Sequence, residues 1–255
     1  MRKLSLSYLA AVFLLIPTFA TASGSGGVEL LRSGINLKDT ESLQRGAKLF
    51  VNYCLSCHSA KLMRYNRVGA DIGLTDDQLK NNLMFTTDKV GNVMDVAMSA
   101  EDAAIWFGTQ PPDLSVVSRS KGIDWIYSYL LGFYEDPNPS RPFGVNNVVF
   151  PDVAMPHVFL GLQGMQKKKP DHDAASDDHA SREIKDLLEL GQSGAMSVEE
   201  YQNGMRDLVA FMAYIGEPAK LQRQEIGVWV LLFLAVLFVL SYALKKEYWK
   251  DIKNT

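Results

Sequence analysis

Cys54-Leu55-Ser56-Cys57-His58 is the stretch on which the reading of this chain turns. Two thiols and an imidazole stand at spacings of three and four, and on a helix such residues share one face. A C-x-x-C-H run is the attachment pattern of a c-type haem. Both thiols can reach the two vinyl groups on one edge of a porphyrin, and His58 then lands over the ring centre as an iron ligand. Other chemistries use parts of the pattern. A thioredoxin-type pair expects a βαβ setting that is not seen around these residues. A structural zinc wants four ligands, and only His157, His172 and His179 remain to help. A disulfide framework needs more than two cysteines. One covalent haem c on Cys54 and Cys57, with His58 on iron, is the expectation.

Upstream, a helical pattern starts at Thr40, with Leu43, Ala47 and Phe50 on one face. Thr40 is placed to cap it, and Glu41 suits its first turn. The helix runs into the cysteine pair. Downstream, residues 76–107 look helical in pieces, broken near Gly91, and Gln110-Pro111-Pro112-Asp113 is a hard stop. Ile123, Ile126, Tyr127, Leu130 and Leu131 lie at helical spacing. The Pro-, Gly- and Asn-rich run from Tyr134 to Pro156 reads as one long loop, a length that usually carries function or disorder. Residues 166–186 read as a polar, solvated excursion. Ser197-Val198-Glu199-Glu200 fits a capping box, after which Val198, Tyr201, Met205, Leu208, Val209 and Met212 line one helix face. Gly216 and Pro218 end that helix.

The second axial ligand decides what a haem does. An open position permits oxygen or peroxide chemistry, whereas a Met/His pair closes the iron and suits electron transfer. Met155 stands out locally, because Pro156 biases its backbone toward an extended form at the end of the long loop. Met63, Met84, Met94, Met98 and Met165 compete on sequence alone. His157 would make a bis-histidine site, although its position past Pro156 suits the haem edge or the surface better.

The two ends are the most apolar parts of a 255-residue chain that is 47% hydrophobic and 22% charged. Residues 1–22 read as a cleaved secretory signal, with Arg2 and Lys3, an apolar run from Leu9 to Ile16, and Ala20-Thr21-Ala22 at the cut. Ile226–Leu244 is 19 residues without a charge, about 28 Å as a helix, enough to span a bilayer. Lys245, Lys246, Lys250 and Lys253 follow, which places the tail in the cytoplasm by the positive-inside rule. The layout is a signal at 1–22, an exported haem domain at 23–221, an anchor at 222–244 and a tail at 245–255. Without the six basic residues of the two ends, 20 of 26 remain; without Glu247 and Asp251, 27 acidic residues of 29 remain. The exported part is thus near −7, which argues against nucleic acid and weakly for a basic partner.

With these residues assembled, the chain resembles the cytochrome c1 family of the bacterial cytochrome bc1 complex. Gly46 to His58 (GAKLFVNYCLSCH) resembles the family's first helix and haem motif, and Pro111-Pro112-Asp113-Leu114-Ser115 matches its PPDLS segment. Ile126 to Phe133 resembles the helix that follows. Ala154-Met155-Pro156 falls where the family supplies its axial methionine, and Arg119 where it places an arginine near a haem propionate. Glu217-Pro218 precedes the single anchor, as in the family.

The resemblance implies a mainly α fold: a cytochrome c-like haem domain with long loops, plus one C-terminal transmembrane helix. It implies an electron-transfer subunit of ubiquinol:cytochrome c oxidoreductase, with no substrate-bond chemistry and no catalytic residue of its own. Its expected partners are cytochrome b, a Rieske iron–sulfur protein, a cytochrome c and membrane lipid. The expected location is the bacterial inner membrane, haem domain in the periplasm. The alternative is a membrane-anchored monohaem cytochrome c acting as an independent shuttle. Some bacterial relatives carry a disulfide near the methionine loop. This chain has no cysteine for it, so packing and prolines are expected to hold that loop.

Overall fold

The computed structural model describes residues 28–170 and 182–250. The expected signal segment, the middle of the polar stretch 166–186 and the last tail residues lie outside the described residues.

The core is a crossing of two helices far apart in sequence. Helix α1 (Thr40–Leu49) runs without a break into a π-helical turn at Phe50–Cys54, so the first helix delivers the cysteine motif directly. Its N-cap is Asp39, whose side chain accepts the Ser42 amide at 3.0 Å, and not the expected Thr40. Thr40 is the first helical residue, and the Asp39 carboxylate one position earlier takes the orphan donor. Helix α2 (Tyr65–Ile72) and α3 (Asp76–Asn82) follow, then α4 (Ala100–Phe107), α5 (Val117–Ser120) and α6 (Ile123–Leu131). Helices α7 (Leu160–Gln163) and α8 (Ile184–Leu187) are single turns. Helix α9 (Val198–Gly216) carries the expected capping box from Ser197 and Glu200 and packs across α1.

Gly46 is where α1 and α9 touch. A Cβ there would collide with the Asp207 carbonyl and lie 2.8 Å from the Phe211 Cβ, so only glycine lets the backbones approach. Asp207 fastens the crossing, accepting from Ser42 Oγ and Arg45 Nε at 2.6 Å each. Phe50 and Phe211 pack in a tilted pair at 5.5 Å, and Tyr65, Ile72, Leu79, Met205 and Leu208 fill the space around them, all fully buried. On the other flank, the buried Tyr201 hydroxyl donates to the Leu130 carbonyl at 2.9 Å and ties α9 to α6.

Among the described residues, eight short strands form two-stranded pairs. They are β1 (Val28–Glu29) with β7 (Arg182–Glu183), parallel, and β2 (Ala60–Arg64) with β3 (Val93–Met94). The others are β4 (Phe133–Glu135) with β5 (Val145–Asn147), and β6 (Gly164–Lys168) with β8 (Leu188–Ser193). The last three pairs are antiparallel. The fold is therefore mainly α, as expected, but the run 134–156 is not one loop. A hairpin sits inside it, its strands too short for periodicity to betray. Likewise the edges of the polar stretch, Gln166–Lys168 and Arg182–Asp186, belong to ordered elements.

Helix α10 (Lys220–Tyr248) contains the expected apolar span and is long and apolar enough to cross a membrane. None of its side chains is buried. Only three residues separate it from α9, and the junction is braced by an Arg223 Nε–Glu217 ion pair at 2.7 Å.

Candidate haem site

The π turn fixes the motif before any ligand is considered. A π turn widens the helix by one residue and is often found at functional sites. Here the Leu55 amide reaches the Phe50 carbonyl at 3.0 Å, and the chain then tightens, with Cys57 N and His58 N both on the Cys54 carbonyl at 3.1 and 2.8 Å. Cys54, Cys57 and His58 thus share one turn. Both thiols are free; Cys54 is buried and Cys57 partly exposed. Burial pushes the Cys54 thiol up to about 12.

His58 is set by a second segment. Its Nδ1 lies 2.8 Å from the Pro112 carbonyl oxygen, which can only accept, so Nδ1 carries the proton. That tautomer leaves the Nε2 lone pair for a metal. Burial also lowers the His58 pKa, which favours the neutral, ligating form, although the Pro112 contact and Asp113 oppose it. No described hydrogen bond occupies Nε2.

What holds Pro112 in place is a clamp between residues 113–115 and the stretch just after the motif. Asp113 Oδ2 accepts the Lys61 amide at 2.8 Å, and Oδ1 accepts the Ser115 amide at 2.8 Å. The Leu114 amide donates to the Ser59 carbonyl at 2.8 Å, and the Leu62 amide to Ser115 Oγ at 3.1 Å. Burial alone would raise the Asp113 carboxyl, but the donors of Lys61 and Ser115 hold it below the usual carboxylate range.

Met155 sits elsewhere, half-buried in a cluster with Phe133, Val145 and Val153. Its Sδ accepts a hydrogen bond from the Tyr129 hydroxyl at 3.3 Å. Tyr129 packs on both the main core and this cluster, and so joins the two sides. The loop bearing Met155 is shaped by two buried asparagines. Asn147 Oδ1 accepts from the Val149 and Phe150 amides at 2.9 and 3.2 Å, and its Nδ2 donates to the Tyr129 carbonyl at 2.8 Å. Asn146 Oδ1 accepts the Asp152 amide at 2.9 Å, and its Nδ2 donates to Asp136. Arg141 pairs with Asp136 and Asp152. Asp152 has a φ of 63°, a left-handed turn that Asp tolerates better than most residues. Packing holds the loop as expected, through Phe133, Val145 and Val153, and the side-chain amides of Asn146 and Asn147 add a hold that was not expected. The run of two Asn at 146–147 was the available signal.

The competing methionines separate by burial. Met63 and Met94 are core residues at 2% and 1% exposure, and Met84 is buried. Met165 packs against the same buried cluster as Met155. Met98 lines a cleft of about 80 Å³ beside Cys57, with Pro111 and Asp113. His157 is not at the surface. It is buried and stacked on Phe133 at 4.9 Å and 6°, and burial lowers its pKa to about 4 against smaller opposing contributions from the Gly164 backbone and Gln163. Arg119 is exposed on α5, near Glu217, whose carboxyl is lowered by Arg223 first and by Arg119 in a lesser part. Among the described residues no group of three or more His, Cys, Asp or Glu gathers as a metal cluster.

The donor set fits a covalent haem: two unpaired thiols on one turn, an imidazole fixed in the ligating tautomer, and a thioether held by a separate loop. Comparison with known proteins gives the family. The model of the Cytochrome C1 family matches residues 33–252. The chain is 48% identical over 254 residues to a cytochrome c1 of Allochromatium vinosum, covering 99% of this chain and all of that one. It is 44% identical over 247 residues to a protein of Nitrosomonas europaea named ammonia monooxygenase gamma subunit, covering 97% and 98%. It is 28% identical over 262 residues to a cytochrome c1 of Rhodospirillum rubrum, covering 92% and 93%.

Proposed function

The chain belongs to the cytochrome c1 family, and on that premise we propose that it accepts electrons from a Rieske iron–sulfur protein and passes them to a cytochrome c. The family makes it a membrane-anchored haem subunit of a bc1 complex. In the proposed arrangement Cys54 and Cys57 would hold one haem c covalently, His58 Nε2 and Met155 Sδ would be its iron ligands, and Arg119 would serve a propionate. When bound, the haem supplies a one-electron couple that changes no substrate bond.

The observation that carries this reading is the His58 Nδ1–Pro112 hydrogen bond on a turn bearing two free thiols. The clamp at 113–115 keeps the imidazole from turning, so little rearrangement is needed as the iron changes charge. The Asn146–Asn147 network does the same for Met155. Signal removal near residue 22 leaves residues 23–221 in the periplasm, with cytochrome b as the partner of the span at 222–244 and the basic tail at 245–255 in the cytoplasm. The three-residue junction between α9 and α10 favours a fixed subunit over a tethered shuttle, which needs a longer linker.

The test has two parts. Mild detergent extraction should bring down a b-type cytochrome and an iron–sulfur protein; recovery of this chain alone overturns the complex-subunit reading. Met155→Leu should abolish the sulfur-to-iron charge-transfer band and lower the potential, while Met98→Leu should leave both unchanged. The opposite outcome moves the ligand to Met98.

A further inference from the structure

The tyrosine hydroxyls packed around α6 and α9 choose different partners. Tyr201 donates to a main-chain carbonyl at 2.9 Å, and Tyr214 to the Asp71 carboxylate at 2.7 Å. Tyr129, one residue before the carbonyl that Tyr201 uses, donates to the Met155 sulfur instead. A thioether is a weak acceptor. A shielded hydroxyl that makes its described hydrogen bond there gains less than it would from a carbonyl, so stability alone does not explain the choice.

The hydroxyl is also held on target. The Tyr129 ring is stacked on Trp125 at 5.2 Å and 8°, and meets Phe133 edge-on at 5.1 Å and 68°. Its carbonyl is tied to Asn147 Nδ2 at 2.8 Å, in the same network that shapes the methionine loop. Ring, backbone and loop therefore move together or not at all.

We propose that Tyr129 is a positioning residue for the axial sulfur: its O–H engages one lone pair of Met155 Sδ, leaves the other for iron, and raises the reduction potential. This rests on Met155 being the ligand. A thioether has two lone pairs. Donation into one draws electron density from sulfur, making it a poorer donor to Fe(III) and so favouring Fe(II). Hydrogen bonds to an axial ligand are a recognised means of tuning a haem. Occupying one lone pair also selects which face of the sulfur meets the metal.

The experiment uses the full-length haem-loaded chain in detergent, comparing wild type with Tyr129→Phe, Tyr127→Phe and Met155→Leu. Tyr127 packs against Arg206 and serves as the control. The readouts are the midpoint potential, the sulfur-to-iron charge-transfer band and thermal unfolding. Tyr129→Phe should keep the band but displace it. It should lower the reduced-to-oxidised ratio at fixed ambient potential by ~3- to 10-fold, about 30–60 mV for a one-electron couple. Tyr127→Phe should move neither. If Tyr129→Phe matches wild type in band and potential while Met155→Leu loses the band, the tuning role is wrong and the ligand stands. If Met155→Leu keeps the band, the ligand assignment itself has failed.

Discussion

The two sides of the candidate iron axis are built by different physics. The histidine side is continuous with the main core: α1, a π turn and main-chain hydrogen bonds deliver His58, and the 113–115 clamp locks its tautomer. The methionine side hangs on side-chain amides. Asn146 and Asn147 bridge a short hairpin to an irregular loop, and Tyr129 joins that loop to α6. The lesson is about coupling. Damage on the histidine side should be felt by the whole fold. Damage on the methionine side should be felt mainly by the ligand.

The largest expected effect tests the first half. Gly46→Val places a branched side chain against the Asp207 carbonyl at the α1–α9 crossing. Overpacking of that kind costs about 1–3 kcal/mol, and here it strikes backbone that cannot yield. Gly46→Val should lower the thermal midpoint steeply and cut the yield of haem protein, with Gly46→Ala intermediate. If Gly46→Ala unfolds at the wild-type temperature, the crossing is looser than its geometry indicates and the histidine side is not tied to the core.

The second half is tested by Asn147→Ala, which removes two acceptor contacts and one donor contact of a buried side chain. At about 1 kcal/mol each, the local loss is about 2–3 kcal/mol. The covalent haem should remain, while the sulfur-to-iron band weakens and carbon monoxide binds the reduced protein. A variant that loses global stability as badly as Gly46→Val, with the band intact, would erase the distinction between the two sides.

The same difference explains what could be read from the sequence. The C-x-x-C-H motif, the Ser197 capping box and the apolar span are local patterns, and each stands where the residues indicated. The π turn is not a local property: it is held where Phe50 packs against Phe211, 161 positions along the chain. The hairpin at Phe133–Asn147 escaped because three-residue strands have no period to detect. Pro156 favours Met155 but does not separate it from Met98 or Met165, and the Tyr129 hydroxyl on its sulfur comes from another helix, outside any local pattern. Of the two places offered for His157, the haem edge or the surface, burial on Phe133 excludes the surface, and that stacking partner lies beyond any sequence pattern.

The smallest effect concerns the clamp and carries a sign. Asp113 is held below the ordinary carboxylate range in the fold, against its burial, by the donors of Lys61 and Ser115. A depressed carboxyl contributes stability that is present above its unfolded pKa and lost as pH falls through its folded one. Asp113→Asn keeps the shape but removes the charge and leaves one acceptor oxygen for two backbone donors, Lys61 N and Ser115 N, so at pH 7 it should cost about 1 kcal/mol or more, from one lost and one weakened hydrogen bond. Below the ordinary carboxylate value the wild type loses the same contribution, and the two proteins should converge. Thermal unfolding of the haem-loaded chain from pH 7 down to about pH 3 measures the gap. A gap that stays constant, or widens toward acid, would mean that the Asp113 carboxylate does not hold the segment supporting His58. The Pro112 carbonyl would then owe its position to the proline pair alone.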